Sequence, residues 1–127
     1  MENLQKFAMP IGRVLIAGMF VMSGLSKIFA YAGTQGYMES VGVAGWLLPF
    51  VIAVEVVGGL AIILGLQTRL AALALAGFCV VSAILFHANF ADQIQMIMFM
   101  KNFAIAGGFL FLFAQGPGAY ALDNRKL

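Results

Sequence analysis

Charge is what this sequence has least of. Only 9% of its 127 residues are Asp, Glu, Lys or Arg, against roughly 25% in water-soluble domains. So few charges cannot clothe a water-facing surface, and a soluble globular domain is excluded. The net charge of +2 is scattered, which leaves no basic stripe for nucleic acid. Cysteine occurs once, at Cys79, so neither an internal disulfide nor a CxxC dithiol pair can form. Set within LALAGFCVVSAILF, Cys79 reads as a small apolar filler. Histidine also occurs once, at His87, so one chain cannot supply a bis-histidine haem site. There is no HExxH, no cysteine cluster and no GxGxxG or P-loop, so neither a metal site nor a nucleotide site is expected.

What the chain has in abundance is apolar side chains, 63% of all residues. They gather into four runs, at about 10–30, 46–66, 70–87 and 97–115. Each is close to the ~20 residues that a helix needs to cross a bilayer. Backbone groups inside hydrocarbon must pair internally, and the runs lack the alternation of barrel strands, so helices are predicted. The connections are short, which makes neighbouring spans antiparallel. The predicted fold is therefore an all-α, four-helix antiparallel membrane bundle, one domain over 1–127. YAGTQGYMESVGVAG, between the first and second spans, leaves room for a short outer interfacial helix at about 34–41, ended by Gly42. Lys6 followed by an apolar run and Ala30-Tyr31-Ala32 imitates a cleaved signal peptide. That run exceeds the ~7–15 residues of a signal core, and Lys27 sits just before the apparent cut, so cleavage is not expected.

Orientation follows from the basic residues. Glu2, Lys6 and Arg13 flank the start of the first run, Arg69 lies in the QTR loop, and Arg125 and Lys126 close the chain. With four spans all of these fall on one side, which the positive-inside rule assigns to the cytoplasm together with both termini. Arg13 and Arg69 read as anchors there. Tyr31, Tyr37 and Trp46 fall on the outer side, where interfacial aromatics collect. Glycines recur within the spans, at Gly12, Gly18, Gly58, Gly59, Gly107 and Gly108, and read as close-packing positions. The similar endings GGLAIILG and GGFLFLFAQG hint at a parallel two-helix repeat.

Against this background a few polar residues stand out by their cost. A charge at mid-membrane costs about 2.5–3.5 kcal/mol on insertion scales, so such residues usually face the bundle interior and pair. At ~1.5 Å per residue, Glu55 lies near the midplane and cannot snorkel to water. It must take up a proton or be held by a cation on another helix, with Lys27 the first candidate and Lys101 the second. Lys27, His87, Lys101 and Asn102 share the outer half, above Glu55. These five are the candidate ligand-binding residues, and Lys27, Glu55 and His87 the candidate catalytic ones. With one lysine paired to Glu55, the other leaves the pocket net positive, which suits an anion or a polar carbonyl headgroup such as a quinone's. The plain alternatives are that Lys27 and Lys101 snorkel outward and that His87 is an interfacial residue.

GRVLIAGMFVMSGLSKIF, EVVGGLAIILGLQTRLAAL, the Phe86-His87 pair, KNFAIAGG at 101–108 and GPGAYALD at 116–123, taken in order, resemble the DoxX family of small bacterial and archaeal membrane proteins. The resemblance covers nearly the whole chain. It implies a four-helix inner-membrane protein. The family name is shared with the membrane subunit of a thiosulfate–quinone oxidoreductase, and some members are associated with membrane complexes for thiol and oxidative-stress homeostasis. A redox-linked subunit near the quinone pool is therefore implied, with Lys27, Glu55, His87, Lys101 and Asn102 matching recurrent polar positions. One departure is Asp92 and a Met-rich stretch after HANF, where the family pattern has an aromatic residue.

Three functions stay open at this level. The first is a redox-associated membrane subunit binding a quinone or a small sulfur oxyanion, with no covalent cofactor and a protein redox partner. The second is a small transporter or channel for an anion or small molecule. The third is a purely structural subunit of a membrane complex. The bilayer is the partner in every case, and small-residue faces leave self-association open.

Overall fold

The computed structural model describes residues 2–87 and 89–124, and every regular element among them is helical. Helix α1 spans Glu2–Phe29, and a ten-residue helix α2 follows at Tyr31–Ser40. The next span is composite. A 3₁₀ turn at Gly45–Leu47 leads into α3 (Leu48–Ala53), a π-helical turn (Val54–Gly58) and α4 (Gly59–Leu64). Helices α5 (Thr68–Phe86) and α6 (Gln93–Gln115) complete the set. Four stretches are long and apolar enough to cross a membrane: Asn3–Phe29, Gly45–Leu64, Thr68–Phe86 and Gln93–Gln115. Arg125 and Lys126, two of the basic residues used for orientation, lie outside the described residues.

Element ends differ from the expected ones for local reasons. α1 begins eight residues before the predicted start at 10, with Pro10 inside the helix. Pro10 lies in the third turn and lacks the N–H that would bond Lys6 O, so the helix runs through it with one interior backbone bond missing. α6 starts at Gln93 and not near 97, because the Asp92 carboxylate accepts from the Ile94 N–H at 2.9 Å and caps the helix. The second span stops at Leu64 because Gly65, at φ +71°, takes the left-handed conformation that ends helices, with Leu66 N–H returning to Ala61 O. The short helix predicted at 34–41 is α2, three residues earlier at its start.

α5 packs most extensively on α6, and α1 on the π turn and α4. Phe109, Leu75, Ile62 and Cys79 are fully enclosed at the centre, and Phe20 meets both Phe78 and Phe109 edge-on. Cys79 thus sits where a small apolar residue would. No span has more than 33% of its apolar window buried within the protein. Leu15, Met22, Leu70 and Phe111 are among the many large apolar side chains that point outward. Hydrocarbon is the environment that satisfies them.

Candidate functional site

The π turn organises the site. A turn with one residue more than the α-helix carries Glu55, and such insertions recur where a helix must aim one side chain. Glu55 is only 3% exposed. Its Oε1 lies 2.7 Å from Nζ of Lys27 on α1, and the same ammonium donates to Ser23 Oγ at 2.7 Å, one turn back on its own helix. A buried carboxylate is costly alone, and the ammonium removes that cost while Ser23 holds the ammonium in place. The backbones can come this close because of Gly24. A Cβ there would lie 2.5 Å from Val56 Cγ2 and 3.2 Å from Glu55 Cβ, so any side chain would push α1 off the π turn.

Above the pair opens a cavity of about 370 Å³, within the lower part of the range typical for small-molecule sites. Lys27 and Glu55 form its polar floor, with Ser82 and His87 from α5 and Asn102 from α6 reaching it. Phe20, Phe78 and Phe86 supply aromatic wall. α2 covers it: Tyr37 stacks on Phe86 at 5.8 Å between ring centres, and Met38 is buried beneath. Gln35 Nε2 donates to Gly45 O at 3.1 Å, tying α2 to the start of the second span. His87 Nδ1 lies 2.9 Å from Gln95 Oε1, which fixes the imidazole at the end of α5.

The structure therefore brings Lys27, Glu55, His87 and Asn102 to one cavity. Lys101 does not join them. It is exposed and absent from the lining, because its neighbour Asn102 takes the inward direction and successive helix positions diverge by ~100°. The expected surplus of positive charge is absent with it: one ammonium faces one carboxylate. Sequence reasoning missed the contributions of Ser23, Ser82 and α2. Ser23 had a signal, since it stands four residues before Lys27 on one helix face.

A second polar cluster lies at the opposite end. Arg13 is not a solvent-facing anchor but is 2% exposed. Its Nη1 donates to the carbonyls of Ile62 and Ile63 at 3.2 Å each, and its Nη2 to Tyr120 O. Ile62 O, which also accepts from the Gly65 N–H, and Ile63 O lie at the end of α4, and the guanidinium caps them there. Asp123 mirrors it, accepting from the N–H groups of Gln67 at 2.6 Å and Thr68 at 2.9 Å at the start of α5. Lost hydration alone would raise the Asp123 carboxyl. The Thr68 side chain, the two backbone N–H groups and the Arg13 charge outweigh it and hold the group below its ordinary value. Segment 116–123 is thereby latched across the ends of two spans.

The sequence pattern of the DoxX family matches residues 8–88, which carry α1 from Ala8 onward, α2, the composite span and α5. The chain belongs to the DoxX family. This DoxX protein is 50% identical over 129 residues to inner membrane protein YqjF of Escherichia coli (strain K12), covering 99% of each chain. It is 36% identical over 122 residues to inner membrane protein YphA of the same organism, covering 91% of this chain and 87% of that one. No solved structure matches it significantly.

Proposed function

We propose that this DoxX protein is an inner-membrane subunit of a redox complex whose cavity holds a neutral, carbonyl-bearing headgroup of the quinone type. The observation that carries the reading is the composition of the cavity floor. Lys27 and Glu55 neutralise one another at 2.7 Å, and Lys101 adds no charge to the lining. A pocket without net charge offers little to a sulfur oxyanion. A flat carbonyl ring between Phe20, Phe78 and Phe86 gains stacking surface and hydrogen bonds together. Lys27 has three N–H groups, of which Glu55 and Ser23 take two, so one is left for a carbonyl oxygen. The Asn102 amide can serve a second oxygen. When bound, the quinone supplies two-electron redox chemistry. Glu55 then holds or releases a proton at its carboxyl while Lys27 keeps it positioned. With one histidine and one cysteine the chain offers no electron carrier of its own, so the electrons come from a partner protein.

In this reading the helices run antiparallel, both termini are cytoplasmic, and α2 lies at the outer interface. Lys6 and Lys27 are 21 positions apart on α1, about 30 Å at helical rise, so exposed Lys6 and Arg69 mark the end away from the cavity. That asymmetry supports a cavity in the outer half. The names of the two relatives support the inner membrane as the location.

The test is equilibrium dialysis of the purified protein with decylubiquinone. One molecule bound per chain, weakened about tenfold or more by Ser82→Leu, which fills the cavity without touching the Lys27–Glu55 pair, supports the reading. No binding, or equal binding by the Ser82 variant, refutes it.

A further inference from the structure

His87 takes no part in the Lys27–Glu55 pair, yet its backbone and its ring are both held. It closes α5, with its own backbone N–H returning to Ala83 O at 3.0 Å. The Asp92 cap starts α6 so that Gln95 falls in the first turn, beside the imidazole. Gln95 Oε1 lies 2.9 Å from Nδ1. A carbonyl oxygen only accepts, so this bond puts the proton of the neutral ring on Nδ1 and leaves a lone pair on Nε2. Nε2 has no hydrogen-bond partner among the described residues, and His87 lines the cavity.

The hydrogen-bonding groups of the cavity fall into two kinds. Ser82, Tyr37 and Asn102 can donate or accept, and so suit a ligand oxygen in either state. His87 Nε2 and the Glu55 carboxylate are fixed acceptors; Glu55 holds Lys27 through Oε1 and keeps accepting capacity at Oε2. One acceptor belongs to the floor and the other to the α5 wall, and each asks the ligand for an O–H. A quinone has none to give, because its carbonyl oxygens only accept. The hydroquinone has two, at opposite ends of one flat ring. With the oxidised form bound, both fixed acceptors stay unmatched in a water-poor setting, where an unmade bond is costly.

We propose that the cavity selects the hydroquinone over the quinone, with one hydroxyl donating to His87 Nε2 and the other to the Glu55 carboxylate. Gln95 is the positioning residue that sets the His87 tautomer. The selectivity presupposes the quinone-type occupant proposed above and adds which redox state of it the protein holds. Tighter binding of the reduced form makes the bound couple the stronger oxidant, and a tenfold preference corresponds to about 30 mV.

The chain has one histidine, so labelling histidine with the heavy nitrogen isotope makes the His87 ring the single imidazole in a nitrogen NMR spectrum. In detergent at about pH 8, above the ordinary imidazole range, the wild-type protein is expected to show a protonated Nδ1 and a bare Nε2. Decylubiquinol, kept anaerobic, is expected to shift the Nε2 resonance as an accepted hydrogen bond does, and decylubiquinone to leave it in place. Equilibrium dialysis is expected to give about tenfold tighter binding of decylubiquinol, the value of one such bond. Gln95→Leu is expected to bring the two affinities within about threefold, whereas Gln95→Glu, which keeps an acceptor against Nδ1, retains the preference. A proton on Nε2 in the wild type overturns the proposal, and that result depends on no variant. An undiminished preference in Gln95→Leu overturns the positioning role. Equal affinity for the two forms, or tighter binding of decylubiquinone, overturns the selectivity while the quinone reading stands. If neither form binds, the quinone reading falls and the selectivity with it.

Discussion

Lys27 and Glu55 meet at 2.7 Å across 28 positions of sequence, and the carboxylate is the more deeply enclosed of the two, at 4% against 27% side-chain exposure. Removing one partner of such a pair leaves the other unpaired in a water-poor setting. Replacing both with apolar residues of similar volume does not. Glu55→Leu alone is therefore expected to lower the melting temperature in detergent sharply, at a cost of about 3 kcal/mol. Lys27→Met with Glu55→Leu is expected to recover most of that loss while still failing to bind decylubiquinone. A double variant as unstable as the single one would mean that the pair contributes more than mutual neutralisation.

Lys27 and Lys101, the two candidate partners of Glu55, separate cleanly in this fold. Lys101→Gln is expected to leave decylubiquinone affinity within about twofold, because its side chain is outside the lining. Lys27→Gln is expected to lose roughly tenfold, the value of one good hydrogen bond to a charged donor, about 1.5 kcal/mol. Equal losses in dialysis would return Lys101 to the site.

Gly24 and Gly18 lie on the same helix but differ in what surrounds them. Gly24→Ala puts a methyl 2.5 Å from Val56 Cγ2, whereas Gly18→Ala meets nothing within 4 Å. The first is expected to cost about 1–3 kcal/mol through overpacking. The second is expected to be neutral or to gain up to ~1 kcal/mol from helix propensity. Thermal unfolding of the two variants side by side decides it.

The latch at Asp123 has a pH signature. Its carboxyl is held below the ordinary value, so its contribution is fully present above the usual carboxylate range, about 3.9, and fades as pH falls through the lower folded value. Exchange of the Gln67 and Thr68 amides, corrected for intrinsic rates, is expected to accelerate below about pH 4. In Asp123→Ala it is expected to be fast at every pH. Exchange in the wild type that ignores acidification would show that other contacts hold these amides.

Much of this architecture can be read directly from the chain. Four apolar runs of bilayer length dictate four spanning helices, and the expense of a mid-span carboxylate calls for a proton or a cation from another helix, with Lys27 the first candidate and Lys101 the second. Helix ends were less legible, since they depend on single events such as Asp92 capping Ile94 or Gly65 turning left-handed. Arg13 was misjudged because its acceptors are backbone carbonyls of Ile62, Ile63 and Tyr120, which no side-chain pattern announces. Lys101 was misjudged because depth along a helix says nothing of azimuth. Lys101 and Asn102 share a level, but only Asn102 turns to the cavity. Tyr37 over Phe86 likewise depends on how α2 folds back, which the spacing of apolar residues does not encode.

The wide turn at Val54–Gly58 makes the second crossing two half-helices with independent facings, Leu48 inward on one and Ile62 on the other. Trimming one amino acid from that turn would restore regular winding and swing one half by ~100° relative to its mate. Either the carboxylate would then face lipid, or the far half would lose its seat against Arg13. Loss of a residue here is thus predicted to be far more damaging than exchange of one apolar type for another.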